Sequence, residues 1–192
     1  TVDHDETVRV RIYVDPTAPA ELVSAVRKAF VALRPGGIVD VLSLACGYVE
    51  DDVTADVVLV IPGANESAAA DAVTAYARRG THVGVLVESS VDAPHVSLDE
   101  VSASFVEVMG ATDSVAATSK VARWLVRATD KGIAFAANFP FCRDEEIEAL
   151  IGKCALENTA VGAVSILPGS DMPIMTANQA KLALDIAAAY GQ

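Results

Sequence analysis

The sequence predicts an α/β protein, a doubly wound and mostly parallel sheet followed by a C-terminal helical hairpin. Three observations carry this. Short, nearly continuous apolar runs alternate with helical patterns over residues 8–87, as strands buried on both faces do. Turn residues separate them at Asp15-Pro16, Pro35-Gly36-Gly37, Pro62-Gly63 and Gly80. Two long helical patterns meeting at Pro168-Gly169 close the chain.

Residues 8–14 alternate apolar and polar and end at Asp15-Pro16, which predicts a strand. Pro19 and Glu21 open a helix whose apolar positions are Leu22, Val23, Val26, Phe30 and Leu33, and Pro35-Gly36-Gly37 stops it. Residues 38–44 form a second strand, ending near Gly47, and residues 56–61 a third, closed by Pro62-Gly63. The link between these two strands is short, so its course stays open. Asn65 caps a helix over residues 66–79 that Gly80 ends, and residues 82–87 are the fourth strand.

Beyond Val87 the pattern changes. Ser97 and Glu100 fit a capping box. Asp113-Ser114 caps a helix running through Trp124 to about Arg127. Residues 132–137 suit either a short last strand or a helical continuation. Residues 143–166 read as a long helix with apolar positions Ile147, Leu150, Ile151, Cys154 and Val161. Ser170 or Asp171 caps the final helix over residues 173–190, with Gly191 at its C-cap. The expected organisation is a disordered tail (1–7), an α/β domain (8–137) and a helical hairpin packed on it (138–192).

The net charge of -12 argues against binding to nucleic acid or anionic lipid. Arg27-Lys28 and Arg78-Arg79 read as solvated helix faces. Cys46, Cys142 and Cys154 form no C-x-x-C pair, which predicts reduced thiols and a cytoplasmic protein without a structural metal. The polar N-terminus carries no signal-peptide pattern. The first Met is Met109, so the sequence is read as a piece of a longer chain. The apolar stretch at 160–167 falls well short of the ~20 residues that span a bilayer.

A P-loop places G-x-x-x-x-G-K-[ST] after its first strand, so that backbone N–H groups, a Lys and a hydroxyl hold phosphate and magnesium. On that spacing this chain has Asp15, Ala20, Glu21 and Leu22. Two carboxylates stand where phosphate would sit, and one like-charge contact near 4 Å costs about 4 kcal/mol at an effective dielectric of ~20. The strand ending at Gly47 sits where a GTPase has D-x-x-G, but Leu44 replaces the Asp. Residues 85–92 sit where N-K-x-D reads guanine, and only Asp92 matches, with Ser89 and Ser90 in place of Asn and Lys. The outline is that of a P-loop GTPase-like or Rossmann-like three-layer fold, without the chemistry that binds GTP or ATP.

The C-terminal third adds Asn138-Phe-Pro-Phe-Cys-Arg143, Asn158-Thr-Ala-Val-Gly162, Leu167-Pro-Gly-Ser-Asp-Met-Pro and Ile186-Ala-Ala-Ala-Tyr-Gly191. These segments resemble the YcjF-like family of uncharacterised bacterial domains found beside GTPase domains. The resemblance implies association with GTPase-like modules and, in some members, with the inner membrane. It brings no catalytic residues.

In open α/β sheets ligands bind at the carboxyl ends of the strands. Here that rim carries Asp15, Thr17, Gly47, Gly63, Asn65, Glu88, Ser89 and Asp92. They suit a polar pocket for a cation or cationic group, but such residues more often serve as loop turns and helix caps, and that reading is preferred. Asp15, Glu88 and Asp92 would suit magnesium or calcium if they converge. Asn158 lies on the apolar stripe of its helix and needs a hydrogen-bond partner, either backbone near the hairpin turn or Asn178. His4, His82 and His95 have no ligand spacing, and no nucleophile motif is present.

The expectation is therefore a non-catalytic, GTPase-like scaffold without a cofactor, whose helical hairpin contacts a protein partner or a second copy. A small-molecule or metal-binding domain using the acidic rim, and a peripheral membrane adaptor, are the alternatives.

Overall fold

The computed structural model describes residues 5–50, 53–164 and 172–192. Its centre is a five-stranded, all-parallel sheet of β1 (Val8–Val14), β2 (Gly37–Ser43), β3 (Val57–Ile61), β4 (His82–Val87) and β5 (Val106–Gly110). The spatial order is β2-β1-β3-β4-β5, one of the two common doubly wound orders. Its helices are α1 (Ala20–Ala29), α2 (Glu66–Arg78), α3 (Glu100–Ala103), α4 (Ser114–Ala128), α5 (Gly132–Asn138), α6 (Arg143–Val164) and α7 (Met172–Ala189).

Strand alternation decides the two cores. Val8, Val10 and Ile12 of β1 and Val57, Leu59 and Ile61 of β3 face α1, α4 and α5, where Leu22, Trp124, Leu125 and Phe135 are buried. Val58, Val60, Val83 and Val85 face α2 through Ala69, Ala72, Val73 and Tyr76. Gly84 makes room for the first core, because a Cβ there would stand 2.7 Å from Met109 Cε and 3.0 Å from the Trp124 ring. Phe139, Cys142 and Ala189 join that same core, so the C-terminal helices grow out of it.

The connection from β2 to β3 crosses the α2 face without a helix among its described residues. Leu44 is buried there, and Tyr48 and Ala55 pack beside it. The loop thereby covers apolar surface that a crossover helix usually covers.

Three differences from the sequence reading have local causes. α1 ends at Ala29, so Leu33 sits in the following loop and is 60% exposed. α3 is capped by Asp99 rather than Ser97, its carboxylate accepting from Val101 N and Ser102 N. Residues 106–110 are a strand the sequence reading lacked, with only Met109 buried. Of the two forms open to residues 132–137, the helix is the one present. The turn at Pro168-Gly169 and the caps at Ser170 or Asp171 lie outside the described residues, as do residues 1–4 of the N-terminal tail.

Candidate functional site

The chain leaves β1 toward α1 on one face and β3 toward α2 on the other, so the crevice between these strand ends is the topological switch point, where doubly wound sheets hold ligands. Asp15 fills it. The residue is 2% exposed. Its Oδ1 accepts from Thr17 N at 2.8 Å and Thr17 Oγ1 at 2.6 Å, and its Oδ2 from Asn65 N at 3.0 Å. Thr17 Oγ1 in turn accepts from Ala64 N at 2.7 Å. Asn65 caps α2 through Ala68 N and donates Nδ2 to Leu44 O at 3.3 Å.

One carboxylate therefore ties the β1–α1 turn to the β3–α2 turn. Gly63 permits the approach, since a Cβ there would lie 2.5 Å from Thr17 Oγ1 and 2.6 Å from Asp15 Oδ1. Burial raises the Asp15 pKa, but the hydrogen bonds from the Thr17 hydroxyl and from the Thr17 and Asn65 main chain outweigh it and hold the carboxyl below its usual range. The group is an anion held by three hydrogen bonds from the fold, two on Oδ1 and one on Oδ2.

The other rim residues do not join it. Gly47 turns the chain after β2 at φ 87°, with open space where a Cβ would be. Glu88, Ser89 and Asp92 are exposed at the end of β4, where Asp92 N donates to Ser89 O in a 3-10 turn. Among the described residues no three acidic, His or Cys side chains come together as a metal site would require. A hollow of about 360 Å³ beside Asp15 is lined on the α1 side by Pro16, Val23 and Arg27.

Among the described histidines, His82 packs on the Phe105 ring with centroids 5.1 Å apart, and the His95 main-chain N–H donates to Glu66. Cys142 is fully buried, and burial pushes its thiol up. Neither arrangement prepares a nucleophile.

In the hairpin, Asn178 Nδ2 donates to Asn158 Oδ1 at 2.9 Å, and Asn158 Nδ2 lies 3.6 Å from Cys154 Sγ. Both amides are half-buried between α6 and α7. The inward stripe of α6 runs through Ile147, Leu150, Cys154, Asn158 and Val161, while Ile151 is 49% exposed instead. On the outward faces Leu156 of α6 and Leu184 of α7 are 72% and 71% exposed, each with a Lys three residues before it. No charged residue occurs over 158–164 or 172–180. Among the described residues no helix is long and apolar enough to cross a membrane.

Residues remote from the predicted rim also form polar clusters. Arg11, 5% exposed under α2, donates to Tyr76 OH at 2.7 Å, and Tyr76 OH lies 3.1 Å from Tyr13 OH. The alternation of β1 puts Arg11 and Tyr13 on one face, which was the available signal. A groove of about 790 Å³ runs between α1, α4 and the start of α6, where Arg123 forks onto Glu145 with both bonds at 3.1 Å. The chain matches no protein-family model, no curated protein and no solved structure.

Proposed function

We propose that the chain is a non-catalytic, GTPase-like scaffold whose α6–α7 hairpin is its protein-interaction element. The observation that carries this reading is the Asp15 carboxylate, buried at the switch point with its oxygens engaged by Thr17 and Asn65. An anion fixed there repels phosphate, and three of its acceptor sites are already committed to the fold, which weakens it as a cation ligand. The exposed apolar side chains of the hairpin, Leu156, Met172, Ile174 and Leu184, support the second half of the reading, since exposed apolar surface marks partner sites. The likeness of this region to the YcjF-like family fits the same role.

Thermal unfolding with and without Mg-GTP, Mg-ATP or calcium tests the first half. No shift is expected. A ligand at about 100 times its dissociation constant would add ~2.7 kcal/mol, and such a gain overturns the reading. Photo-crosslinking residues at positions 156 and 184, with the 88% exposed Val91 position as control, test the second. Protein adducts are expected from the hairpin positions alone, and equal yields from all three remove the hairpin from the proposal.

A further inference from the structure

The two edges of the sheet are built differently. β5 has five residues, its Gly110 carbonyl accepts from Lys120 Nζ, and its Glu107 pairs with Arg127 at 2.8 Å. A short edge guarded by Lys resists strand addition. β2 has seven residues, no Lys and no Pro. Its one charge, Asp40, lies 3.5 Å from Arg9. Its Val41 is 67% exposed.

The ladder fixes which main-chain groups of β2 are free. Val8 N donates to Gly36 O and Leu44 N to Val14 O. Alternate residues of a parallel strand bond to one neighbour, so Ile38, Asp40 and Leu42 face β1. Val39, Val41 and Ser43 present their N–H and C=O groups outward, and no described strand pairs with them.

The geometry points to a second copy of this chain as the occupant of that edge, with β2 pairing antiparallel about a two-fold axis at Val41. Val41 then exchanges both main-chain bonds with Val41 of the partner subunit, and Val39 does so with the partner's Ser43. Asp40 faces the partner's Leu42. An axis at Asp40 would set two carboxylates opposite each other, which is unfavourable, and an axis at Val39 would set Val41 against a glycine. The chosen axis alone joins the exposed valines.

Self-complementarity extends past the strand. Leu33 before β2 and Val49 after it are 60% and 73% exposed. They lie equally far along the chain from Val41, so the antiparallel arrangement brings the Leu33 end of one copy toward the Val49 end of the other. The charges nearby are already paired, Arg34 with Asp5 and Arg79 with Glu50. An isologous contact consumes both open edges and leaves the guarded β5 at each end of a continuous sheet, so assembly stops at the dimer. The net charge of -12 on each copy opposes it at long range, so added salt strengthens it.

Light scattering on the size-fractionated full chain tests the proposal. The expected mass is that of two chains, and Val41→Lys raises the dissociation constant by at least about tenfold, as an edge Lys should. Leu184→Lys, in the hairpin, leaves the dimer intact, which separates this outcome from the hairpin reading above. In a Cys46→Ser background, Val41→Cys cross-links to itself under mild oxidation, and this reports the axis even if the Lys variant folds poorly. A mass of one chain at every concentration, a dimer that survives Val41→Lys, or a dimer in which Val41→Cys fails to cross-link overturns it.

Discussion

The carboxylate of Glu146 lies against the backbone of Gly132, so close that a Cβ on Gly132 would overlap Glu146 Oε2. This seats a 6% exposed acid at the junction of α5, α6 and α7. Burial, and then the like charge of Asp185, push its pKa up to about 7, with Lys153 opposing.

A carboxyl raised above its unfolded value of 4.5 binds its proton more tightly in the folded state. Stability from this group is full below pH 4.5 and is lost as pH rises toward about 7. Glu146→Gln should therefore stabilise the protein at pH 8 by about 1–2 kcal/mol, allowing for partial solvent screening, and change little at pH 5. Urea unfolding at the two pH values checks this. An equal effect at both would mean that the proton is not the cause.

The Asp15 latch titrates in the opposite sense. Its folded pKa lies below the unfolded value of 3.8, so its contribution is present above that value and lost as pH falls through the folded pKa. Asp15→Ala removes the acceptor from Thr17 and Asn65 and should cost about 2–4 kcal/mol at pH 7. Gly63→Ala forces a methyl group into Thr17 and Asp15 and should cost about 1–3 kcal/mol. Because both act on one latch, the double variant should lose less than the sum. Simple additivity in denaturant titrations would show that the two turns are held independently.

Much of this was legible in sequence, for reasons visible in the residues. β3 and β4 are buried on both faces and announce themselves as apolar runs, β1 shows itself by alternation, and Asn65, Asp113 and Gly191 sit where helix ends demand them. β5 was missed because it is a short edge strand in which Glu107 and Val108 look outward and only Met109 is buried. Ser97 reads as the cap because Glu100 three residues on completes a capping-box pattern, whereas the four-residue helix starts later and Asp99 caps it. Asp15-Pro16-Thr17 could be read as a turn, but its lock by Asn65 depends on a residue 50 positions away. Glu88 and Asp92 share the rim with Asp15 in sequence order, yet their loop turns into solvent.

The Asn158–Asn178 pair has a specific energetic signature. Replacing either Asn by Leu leaves the other amide half-buried without its partner and should cost about 1–2 kcal/mol. Replacing both should recover most of that loss, and a double-mutant cycle should give a coupling of about 0.5–1.5 kcal/mol. If the amides set the register of the helices, the double variant keeps its stability but exchanges amide hydrogens faster over 172–186. Unchanged exchange there would reduce the pair to a solvated contact.

Trp124, the sole tryptophan, offers a direct optical check on the sheet packing. It is 2% exposed and its ring lies over Gly84 of β4. A methyl group on Gly84 must displace the ring or Met109 Cε, and β4 is held on both sides by β3 and β5, so the strand cannot retreat. Gly84→Ala should therefore cost about 1–3 kcal/mol and shift Trp124 emission to longer wavelength as water reaches the ring. Met109→Ala in the same background opens space beside the new methyl and should restore part of the stability and the blue emission. Loss of stability with no emission change would place the strain in the β4 backbone rather than at the ring.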